Sequence, residues 1–296
     1  MSRVEIVEVA PRDGLQNEKH LLSTPGKLEL IERAYDAGAR RIEVTSFVHP
    51  ERVPQMADAE AVVAGLTPHD DVVYAALVLN ERGYDRALSA GIREVNTVVI
   101  TTETFSERNQ GMSVAESVEA VSKIRARAAA DGIRVTVTIS AAFGCPFEGE
   151  VPLETLTRVA TQIAAIDADE IVLADTIGVA VPSDVEERIA AVRDVGAHGA
   201  LRSHFHNTRN TAVANVIAAV RSGVTAIDAS LAGIGGCPFA PAATGNVATE
   251  DLVYALERMG YETGYDLERA IAGARWIADQ LGIEPPGMVA RAGGFP

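Results

Sequence analysis

The chain has 296 residues, of which 47% are hydrophobic and 25 are glycine, a composition typical of a globular protein with a sizeable core. Its formal net charge of −15 argues against a nucleic-acid or anionic-membrane partner, because such partners bind basic patches and no Lys/Arg cluster stands out. No apolar run approaches the roughly 18 residues of a membrane span. The first residues show no charged-then-apolar leader, so we expect a cytoplasmic protein.

Short runs rich in β-branched residues recur along the chain and predict eight strands. Several are almost entirely apolar, as expected for parallel strands that are buried on both faces. The predicted strands are Val4–Val9, Arg41–Val44, Val72–Leu79, Glu94–Ile100, Ile133–Ile139, Glu170–Leu173, Ala200–Phe205 and Thr225–Ala229.

Helical patterns with recognisable ends lie between these strands. One begins with Ser23 and Thr24 as the N-cap and Pro25 at the first helical position. Another opens with a capping box formed by Ser113 and Glu116. Glycines that end a helix just before a strand recur at Gly38, Gly91, Gly132 and Gly223. The repeating unit is therefore strand, loop, helix and glycine.

Eight such units favour a closed (β/α)₈ TIM barrel over an open doubly wound sheet. We predict one catalytic domain over residues 1–296, with the barrel and an active-site loop over about 1–245. Strand patterns stop near residue 246, which predicts a short C-terminal helical extension over about 246–296. Its expected parts are the helices Glu250–Met259 and Leu267–Leu281 and a loosely held tail at Pro285–Gly287 and Ala292–Pro296.

Polar residues gather where the predicted strands end, which is where the chemistry of a parallel barrel collects. His204 and His206 lie at the end of the seventh strand, and strand alternation puts both imidazoles on one face. The other strand ends carry Arg12, Asp13, Glu43, Cys145, Asp175 and the segment Gly233–Asn246. All these side chains are expected on one rim of the barrel.

Two histidines on one strand face make half of a metal site, and oxygen ligands must complete it. Asp13 is the natural first oxygen ligand, and Glu43, Asp175 and Asn246 are the remaining candidates. Each of them alone is more commonly a loop cap or a salt-bridge partner, but their collection on one rim favours the metal site. Mixed nitrogen and oxygen ligands suit Mg²⁺ or Mn²⁺ better than a closed zinc site.

The glycine-rich segment Gly233–Gly236 does not fit a dinucleotide-binding loop, because the third glycine is missing and Pro238 stands where a helix should start. A flap that carries Cys237 over the barrel mouth suits the composition better. Cys237 and Cys145 both lie in the tetrapeptide Gly-Cys-Pro-Phe. Two cysteines in such a chain do not suggest a disulfide framework.

A set of segments on this rim resembles the 3-hydroxy-3-methylglutaryl-CoA lyase family. The Arg-Asp-Gly, His-x-His and Gly-Gly-Cys-Pro elements are highly specific in combination, and the likeness extends from about Val4 to about Gly264. The segments are Arg12–Glu18, Glu43–Val48, Val53–Met56, Phe143–Gly149, Asp175–Gly178, His204–His206, Gly235–Ala240 and Gly245–Asp251.

The resemblance implies a role for each rim residue. Arg12 would polarise the thioester of an acyl-CoA substrate, Glu43 and Asp175 would support the site, and Cys237 would be the reactive cysteine of a mobile loop. Either His204 or Asp175 would be the base. The implied ligands of the divalent ion, Mg²⁺ or Mn²⁺, are Asp13, His204, His206 and Asn246.

The implied activity is the metal-dependent retro-Claisen cleavage of 3-hydroxy-3-methylglutaryl-CoA to acetyl-CoA and acetoacetate, as in leucine degradation and ketone-body formation. We expect a homo-oligomer, either a dimer or a tetramer. The chain departs from the family pattern at Asn207–Arg209, where members usually have Asp-Thr-Tyr. A cation at the mouth, supplied by Arg209, would favour a related acyl-CoA such as citramalyl-CoA.

Two other functions remain open at this point. A Claisen-type acyl synthase would share the Arg-Asp and His-x-His elements, but we would not expect it to carry Gly235–Pro238 or to lack a regulatory domain. A non-catalytic metal- or CoA-binding protein would have no use for both Arg12 and Cys237.

Overall fold

The computed structural model describes residues 2–196, 199–236 and 245–295, and in it eight parallel strands form a closed barrel. Each strand pairs with its neighbours in sequence, and the last pairs with the first. The predicted TIM barrel is therefore confirmed. The strands are β1 (Glu5–Glu8), β2 (Arg41–Ser46), β3 (Val73–Leu77), β4 (Glu94–Ile100), β5 (Arg134–Ser140), β6 (Glu170–Asp175), β7 (Ala200–Phe205) and β8 (Ala226–Ala229).

The α-helices follow the strands and cover the outside of the barrel. They are α1 (Thr24–Ala37), α2 (Ala59–Ala64), α3 (Glu81–Ala90), α4 (Glu103–Gln110), α5 (Val114–Asp131), α6 (Leu153–Ala164), α7 (Pro182–Asp194), α8 (Ala212–Arg221), α9 (Thr249–Arg258), α10 (Leu267–Leu281) and α11 (Met288–Ala292). Helix α4 and a small hairpin of Gly144–Cys145 with Gly149–Glu150 lie outside the predicted elements. Among the described residues, no helix is both long and apolar enough to cross a membrane.

The predicted helix ends are confirmed at α1 and α5. The Ser23 hydroxyl accepts the Gly26 N–H, and Ser113 and Glu116 form the reciprocal capping box. Helix α1 ends at Gly38 with φ of +119°, and a side chain there would also collide with the backbone of Gly264. The local signals in the sequence therefore set these helix boundaries.

Strand β2 shows how the barrel separates its two faces. Ile42 and Val44 are buried in the main hydrophobic core, whereas Arg41 and Glu43 alternate with them and are also buried. The apolar side chains pack towards the helices, and the polar side chains point into the barrel. The strands therefore supply both the core and the polar interior that the site uses.

Buried ion pairs fill the N-terminal end of the barrel interior. Arg41 contacts Glu94 and lies 2.6 Å from Glu170, and Arg202 lies 3.2 Å from both Glu170 and Asp228. Burial alone would raise the pKa of Glu170, but Arg202 and Arg41 lower it below its ordinary value. We call these five residues the basal network. Because each charge has an opposite partner, the network can be buried without an isolated ion.

The prediction of a loosely held tail is wrong for the segment around Gly287. The Gly287 N–H donates to the Ala232 carbonyl at 3.0 Å, and the Val289 N–H donates to Asp251 at 2.7 Å. A side chain at residue 287 would collide with the carboxylate of Glu250. Composition alone suggested a free end, whereas backbone hydrogen bonds dock this segment on α9 and on the loop after β8.

Candidate metal centre and active-site cavity

A cavity of about 690 Å³ opens at the C-terminal ends of the barrel strands. Such a position is usual for the active site of a TIM barrel. Exposed residues, including His49, Arg52, Arg108 and Asn109, line its outer part. Its deep part is lined by Arg12, Asp13, Asn96, His204, His206 and Asp228.

A tight turn after β1 carries Arg12 and Asp13 into this cavity. The turn spans Ala10–Gly14, and a side chain at Gly14 would lie 2.8 Å from both Ile234 and Ser230. The glycine therefore lets the turn pack closely against the loop that follows β8.

Glu8 fastens this turn to the opposite side of the site. Its carboxylate accepts the N–H groups of Ala10 at 2.9 Å and Leu231 at 3.0 Å, and the Thr249 hydroxyl at 2.7 Å. Burial raises the pKa of Glu8 to about 7, although these hydrogen bonds oppose the shift. One buried carboxyl thus joins β1, the loop after β8 and the start of α9.

Asp13, His204 and His206 form a compact group in which one possible ligand atom from each residue lies within 4.8 Å of the others. Asn246 joins them, because its amide nitrogen donates to Asp13 at 2.8 Å and to the Ile234 carbonyl at 3.1 Å. Its Oδ1 atom is buried and accepts no hydrogen bond within the part of the chain described. A buried acceptor beside a carboxylate and two imidazoles fits a divalent cation.

Gly235 explains part of the glycine-rich segment. It has φ of +105°, and a Cβ there would lie 2.7 Å from the Asn246 amide nitrogen and 2.9 Å from the Asp13 carbonyl. The loop can lie against the presumed ligands only with glycine at this position. This packing is consistent with the rejection of a phosphate-binding loop.

His204 is held in place by a carboxylate that the sequence analysis did not single out. Its Nδ1 atom lies 3.1 Å from Asp228, and its Nε2 atom faces Asp13 at 3.9 Å. Burial would lower the pKa of His204, but Asp228 and Asp13 raise it. The signal for Asp228 was a single acidic residue inside the apolar eighth strand.

Arg12 bridges two carboxylates beside this group. It donates to Glu43 and to Asp13, each at 2.6 Å, and its side chain is 10% exposed. Burial alone would raise the pKa of Asp13, but Arg12, His204 and His206 lower it well below the ordinary value. Asp13 is therefore held ionised, which a metal ligand requires.

Asp175 lies at the predicted strand end, but its carboxylate is used by the following loop. Its two oxygens accept the N–H groups of Val179 at 2.9 Å and Ala180 at 3.0 Å. Burial raises its pKa despite these bonds. Its neighbours Ala174 and Thr176 line the cavity, whereas Asp175 lies behind them.

The structure shows which groups the Arg209 side chain contacts, and its role as a cation at the mouth stays a prediction. Its guanidinium donates to the backbone carbonyls of Ile177 at 3.2 Å and Gly178 at 2.8 Å, and it is absent from the cavity lining. The loop after β6 thus holds this side chain through two backbone carbonyls.

Of the two cysteines, only Cys145 lies among the described residues. Cys145 is buried, and its sulfur accepts hydrogen bonds from the Thr102 hydroxyl at 3.1 Å and from the N–H groups of Phe147 and Glu148 at 3.4 Å. These contacts give it a structural place in the turn after β5. Cys237 lies outside the described residues.

The barrel, its single polar rim and the cluster of one carboxylate, two imidazoles and one amide define a TIM-barrel enzyme with a candidate metal centre. The family model described as HMGL-like matches residues 3–277, and the chain belongs to this family. This membership, together with the relatives described next, identifies a carbon–carbon lyase.

The relatives agree over nearly the whole chain. An (R)-citramalyl-CoA lyase of Chloroflexus aurantiacus is 43% identical, with 99% of this chain and 96% of the relative covered. The mitochondrial hydroxymethylglutaryl-CoA lyase of Gallus gallus is 41% identical, with 98% and 97% covered. The crystal structure of the Bacillus subtilis HMG-CoA lyase superposes with a TM-score of 0.95 at 38% identity, covering 99% of this chain and 98% of that one.

A second solved structure bears on the ligand. An HMG-CoA lyase of Acinetobacter baumannii in complex with coenzyme A and 3-methylmalate superposes with a TM-score of 0.94 at 37% identity, covering 99% of this chain and 95% of that one. The fold and the family predicted from the sequence are therefore confirmed.

Proposed function

We propose that this protein cleaves 3-hydroxy-3-methylglutaryl-CoA into acetyl-CoA and acetoacetate. The observation that carries the proposal is the placement of Arg12 beside the group of Asp13, His204 and His206 in the deep part of one cavity. This arrangement pairs a fixed cation with a candidate metal site, which is what cleavage to a thioester enolate needs. The HMG-CoA lyases among the relatives support the same substrate.

The residues proposed to hold a divalent ion are Asp13, His204, His206 and Asn246, the last through Oδ1. When bound, the ion would supply a positive charge that favours loss of the proton from the substrate's tertiary hydroxyl. Oxygen and imidazole ligands in this number support Mg²⁺ or Mn²⁺.

Arg12 is proposed to stabilise the charge that develops on the thioester oxygen. Its Nε atom donates to Glu43 and its Nη1 atom donates to Asp13, and its Nη2 atom lies 2.6 Å from the same Glu43 oxygen, so the plane of the fork is fixed. The remaining N–H groups are then available to the cavity that Arg12 lines. As the carbon–carbon bond breaks, its electrons move into the enolate of acetyl-CoA, and the guanidinium faces the negative oxygen.

Two proton transfers complete the proposed reaction. The first is the loss of the hydroxyl proton, for which His204 and Asp175 remain the two candidate bases. Asp228 and the proposed metal site would use both nitrogens of His204, whereas Asp175 lies behind the cavity lining and its two oxygens accept loop N–H groups. The proton that converts the enolate carbon to a methyl group is assigned to Cys237, on the basis of its position in the loop sequence. The hydroxyl proton leaves, acetoacetate forms, and acetyl-CoA gains one proton.

A second substrate has specific support. The relative from Chloroflexus aurantiacus is a citramalyl-CoA lyase and is slightly more similar than the hydroxymethylglutaryl-CoA lyases named above. Citramalyl-CoA would undergo the same cleavage and yield pyruvate in place of acetoacetate. The two substrates share the thioester, the tertiary hydroxyl and the carboxylate that the proposed site recognises.

One experiment tests both substrates. Purified protein with Mg²⁺ or Mn²⁺ is incubated separately with each acyl-CoA, and acetyl-CoA, acetoacetate and pyruvate are measured. We expect acetyl-CoA and acetoacetate from 3-hydroxy-3-methylglutaryl-CoA, and no product from an Asp13→Ala variant prepared in parallel. Pyruvate from citramalyl-CoA, with no acetoacetate, would move the assignment to the second substrate. No product from either would contradict the lyase function.

Three finer features complete the proposal. Acetoacetate as a product would place the enzyme in leucine degradation and ketone-body formation. A homo-oligomer, either a dimer or a tetramer, and a cytoplasmic location stay predictions from the sequence. Size-exclusion chromatography with light scattering measures the first of these two directly.

A further inference from the structure

A chain of hydrogen bonds crosses the barrel interior beside Arg12. The Thr138 hydroxyl on β5 donates to the Asn96 Oδ1 atom on β4 at 2.9 Å. The Asn96 amide nitrogen donates to the Glu43 Oε1 atom on β2 at 3.1 Å. The other carboxylate oxygen of Glu43 accepts from Arg12 at 2.6 Å. Four side chains from different parts of the barrel are thus linked in series.

From these contacts we infer that Asn96 and Thr138 are positioning residues for Arg12. They act through Glu43, whose carboxylate they hold in the orientation that receives the guanidinium. The inference rests on the proposed function, in which Arg12 faces the thioester oxygen. It adds two residues that the motifs on the barrel rim do not include.

The chemistry of the groups fixes the direction of the chain. A carboxylate can only accept, so the Asn96 atom that faces Glu43 must be the amide nitrogen. The amide oxygen then faces Thr138, whose hydroxyl must be the donor. With the amide in this orientation each hydrogen bond has one direction, and rotation of the amide would break the bond to Glu43, because two oxygens would then face each other.

The hydrogen bond between Asn96 and Glu43 matters because both side chains are buried. Glu43 is 3% exposed and Asn96 is 4% exposed, so neither can exchange its partner freely for water. Arg12 satisfies only one oxygen of Glu43, and Asn96 supplies the donor for the other. Without Asn96 the carboxylate would be free to turn, and Arg12 would lose one fixed edge of its fork.

The sequence of β3 allows this contact to form. Strand β3 lies between β2 and β4, so Glu43 and Asn96 must reach across it, a span of roughly 9.6 Å between strand axes. Ala75 is in register with Glu43 and has a small side chain, whereas Asn96 is in register with Leu77. The contact therefore crosses β3 obliquely, and a large residue at position 75 would stand beside the Glu43 carboxylate.

The test combines isosteric variants with metal binding and turnover. With little change of volume, Asn96→Leu removes the hydrogen bonds to both Glu43 and Thr138, and Thr138→Val removes the one to Asn96, whereas Thr138→Ser keeps the hydroxyl. Thr97→Val is the matched control, because Thr97 is the next residue on β4 and its hydroxyl bonds to the Thr136 carbonyl outside the chain of contacts. For every variant, kcat, KM and the dissociation constant of Mn²⁺ are measured.

We expect Asn96→Leu to lower kcat between about tenfold and a hundredfold, because a small misplacement of a charge-stabilising group is costly. The Mn²⁺ dissociation constant and KM should stay nearly constant. Thr138→Val should show a smaller loss of kcat, Thr138→Ser should restore it, and Thr97→Val should match the wild type. In an Arg12→Lys background, Asn96→Leu should cost less than about twofold, since the fork it positions is gone.

Three outcomes would overturn the inference. They are an Asn96→Leu enzyme that keeps more than half of its turnover, equal losses in the wild-type and Arg12→Lys backgrounds, and a Thr97→Val loss as large as that of Thr138→Val. If Asn96→Leu does not fold, the comparison of Thr138→Val with Thr138→Ser decides alone.

If the wild type cleaves neither acyl-CoA, the proposed function fails. The contact itself is then tested by non-additive unfolding free energies of Asn96→Leu and Glu43→Gln, and additive values would overturn it.

Discussion

Arg12 combines two roles that a single variant can separate. It bridges Glu43 and Asp13, so its removal affects stability, and it lines the cavity, so its removal affects charge stabilisation. We expect Arg12→Gln to lower kcat by about 10²- to 10³-fold or more, the usual cost of losing a donor to a developing oxyanion. Arg12→Lys should rescue only part, because a point charge does not reproduce the planar fork.

The same Arg12→Gln preparation needs three measurements: kcat, the Mn²⁺ dissociation constant and the melting temperature. Metal affinity should stay nearly constant, since a guanidinium cannot coordinate the ion. A folded, metal-loaded variant that keeps more than about a tenth of wild-type kcat has lost under about 1.4 kcal/mol and would exclude the proposed role.

Asp228 should control metal affinity through His204. Asp228→Asn replaces the carboxylate that orients the Nδ1 side of the ring and also weakens the partner of Arg202. Loss of such an outer partner typically weakens metal binding by about 10- to 100-fold. Isothermal titration of the metal-free protein with Mn²⁺ measures the change.

Asp175→Asn is the contrasting variant, because the Asp175 carboxylate accepts loop N–H groups and not a ligand side chain. Its Mn²⁺ affinity should remain close to that of the wild type. Equal weakening in both variants would show that general loosening of the rim, and not the orientation of His204, explains the loss.

For single residues, the sequence predicted which side chains could take part in the chemistry, but not where each side chain points. Asp13, His204 and His206 were predicted from residue type and position, the family resemblance chose Asn246 among the remaining candidates, and the structure brings the four together. The hydrogen bonds of Arg209 were not predictable, because its position beside the site says nothing about the backbone carbonyls within its reach. Asn96 and Asp228 were missed, since a polar residue inside a strand carries no motif of its own.

The first turn of α9 contains a buried carboxyl group that should respond to pH. Glu250 accepts the Ala232 N–H at 3.1 Å, and its pKa is raised to about 8 by burial, with Asp251 and Glu8 adding to the shift. A carboxyl with a raised folded-state pKa contributes stability below its unfolded pKa, and this stability is lost as pH rises through the folded value. The window here runs from about 4.5 to about 8.

Glu250→Gln should remove this dependence. As pH rises from 5 to 8, the free energy of unfolding of the variant should increase relative to that of the wild type. The increase should be about 1.4 kcal/mol for each unit by which the folded and unfolded pKa values differ within that range. Any pH-independent effect of the amide shifts this stability difference but does not change its slope with pH. Urea unfolding at four pH values measures the slope.

Glu116→Gln is the control for this experiment. Glu116 belongs to the capping box of α5, and hydrogen bonds from Ser113 lower its pKa, so it does not titrate in the same window. Its difference from the wild type should stay flat between pH 5 and 8. A flat difference for Glu250→Gln as well would contradict the raised pKa.

Helices were predictable where capping residues marked their ends, as at Ser23 and Ser113. Helix α11 was not, because the bonds that hold its start come from Asp251, far away in sequence. Helices whose ends are capped by neighbouring residues can therefore be predicted from the sequence, whereas helices held by distant residues cannot.

For the whole molecule, the closed barrel was predictable because the same unit repeats eight times and glycines mark four of the helix ends that precede a strand. The basal network was not, because Arg41, Glu94 and Glu170 lie 53 and 129 residues apart in the pairs they form. No spacing rule connects residues whose only relation is a shared position inside the barrel.

The basal network has a consequence for the order of events in turnover. Buried charges fill the N-terminal end of the barrel, so the proposed cavity is entered and left through its exposed mouth. In the proposed reaction the CoA portion would then extend outwards above the candidate metal site, and acetoacetate would lie beneath acetyl-CoA after cleavage. Product release is therefore expected to be sequential, with acetyl-CoA leaving first.

Product-inhibition kinetics would reveal this order. Acetoacetate, as the last product, binds the free enzyme and should compete with the acyl-CoA substrate, whereas acetyl-CoA should inhibit non-competitively. The reverse pattern would mean that the acid leaves while the thioester is still bound. Because salt bridges close one end of the barrel, acetoacetate can leave only after acetyl-CoA has left the mouth.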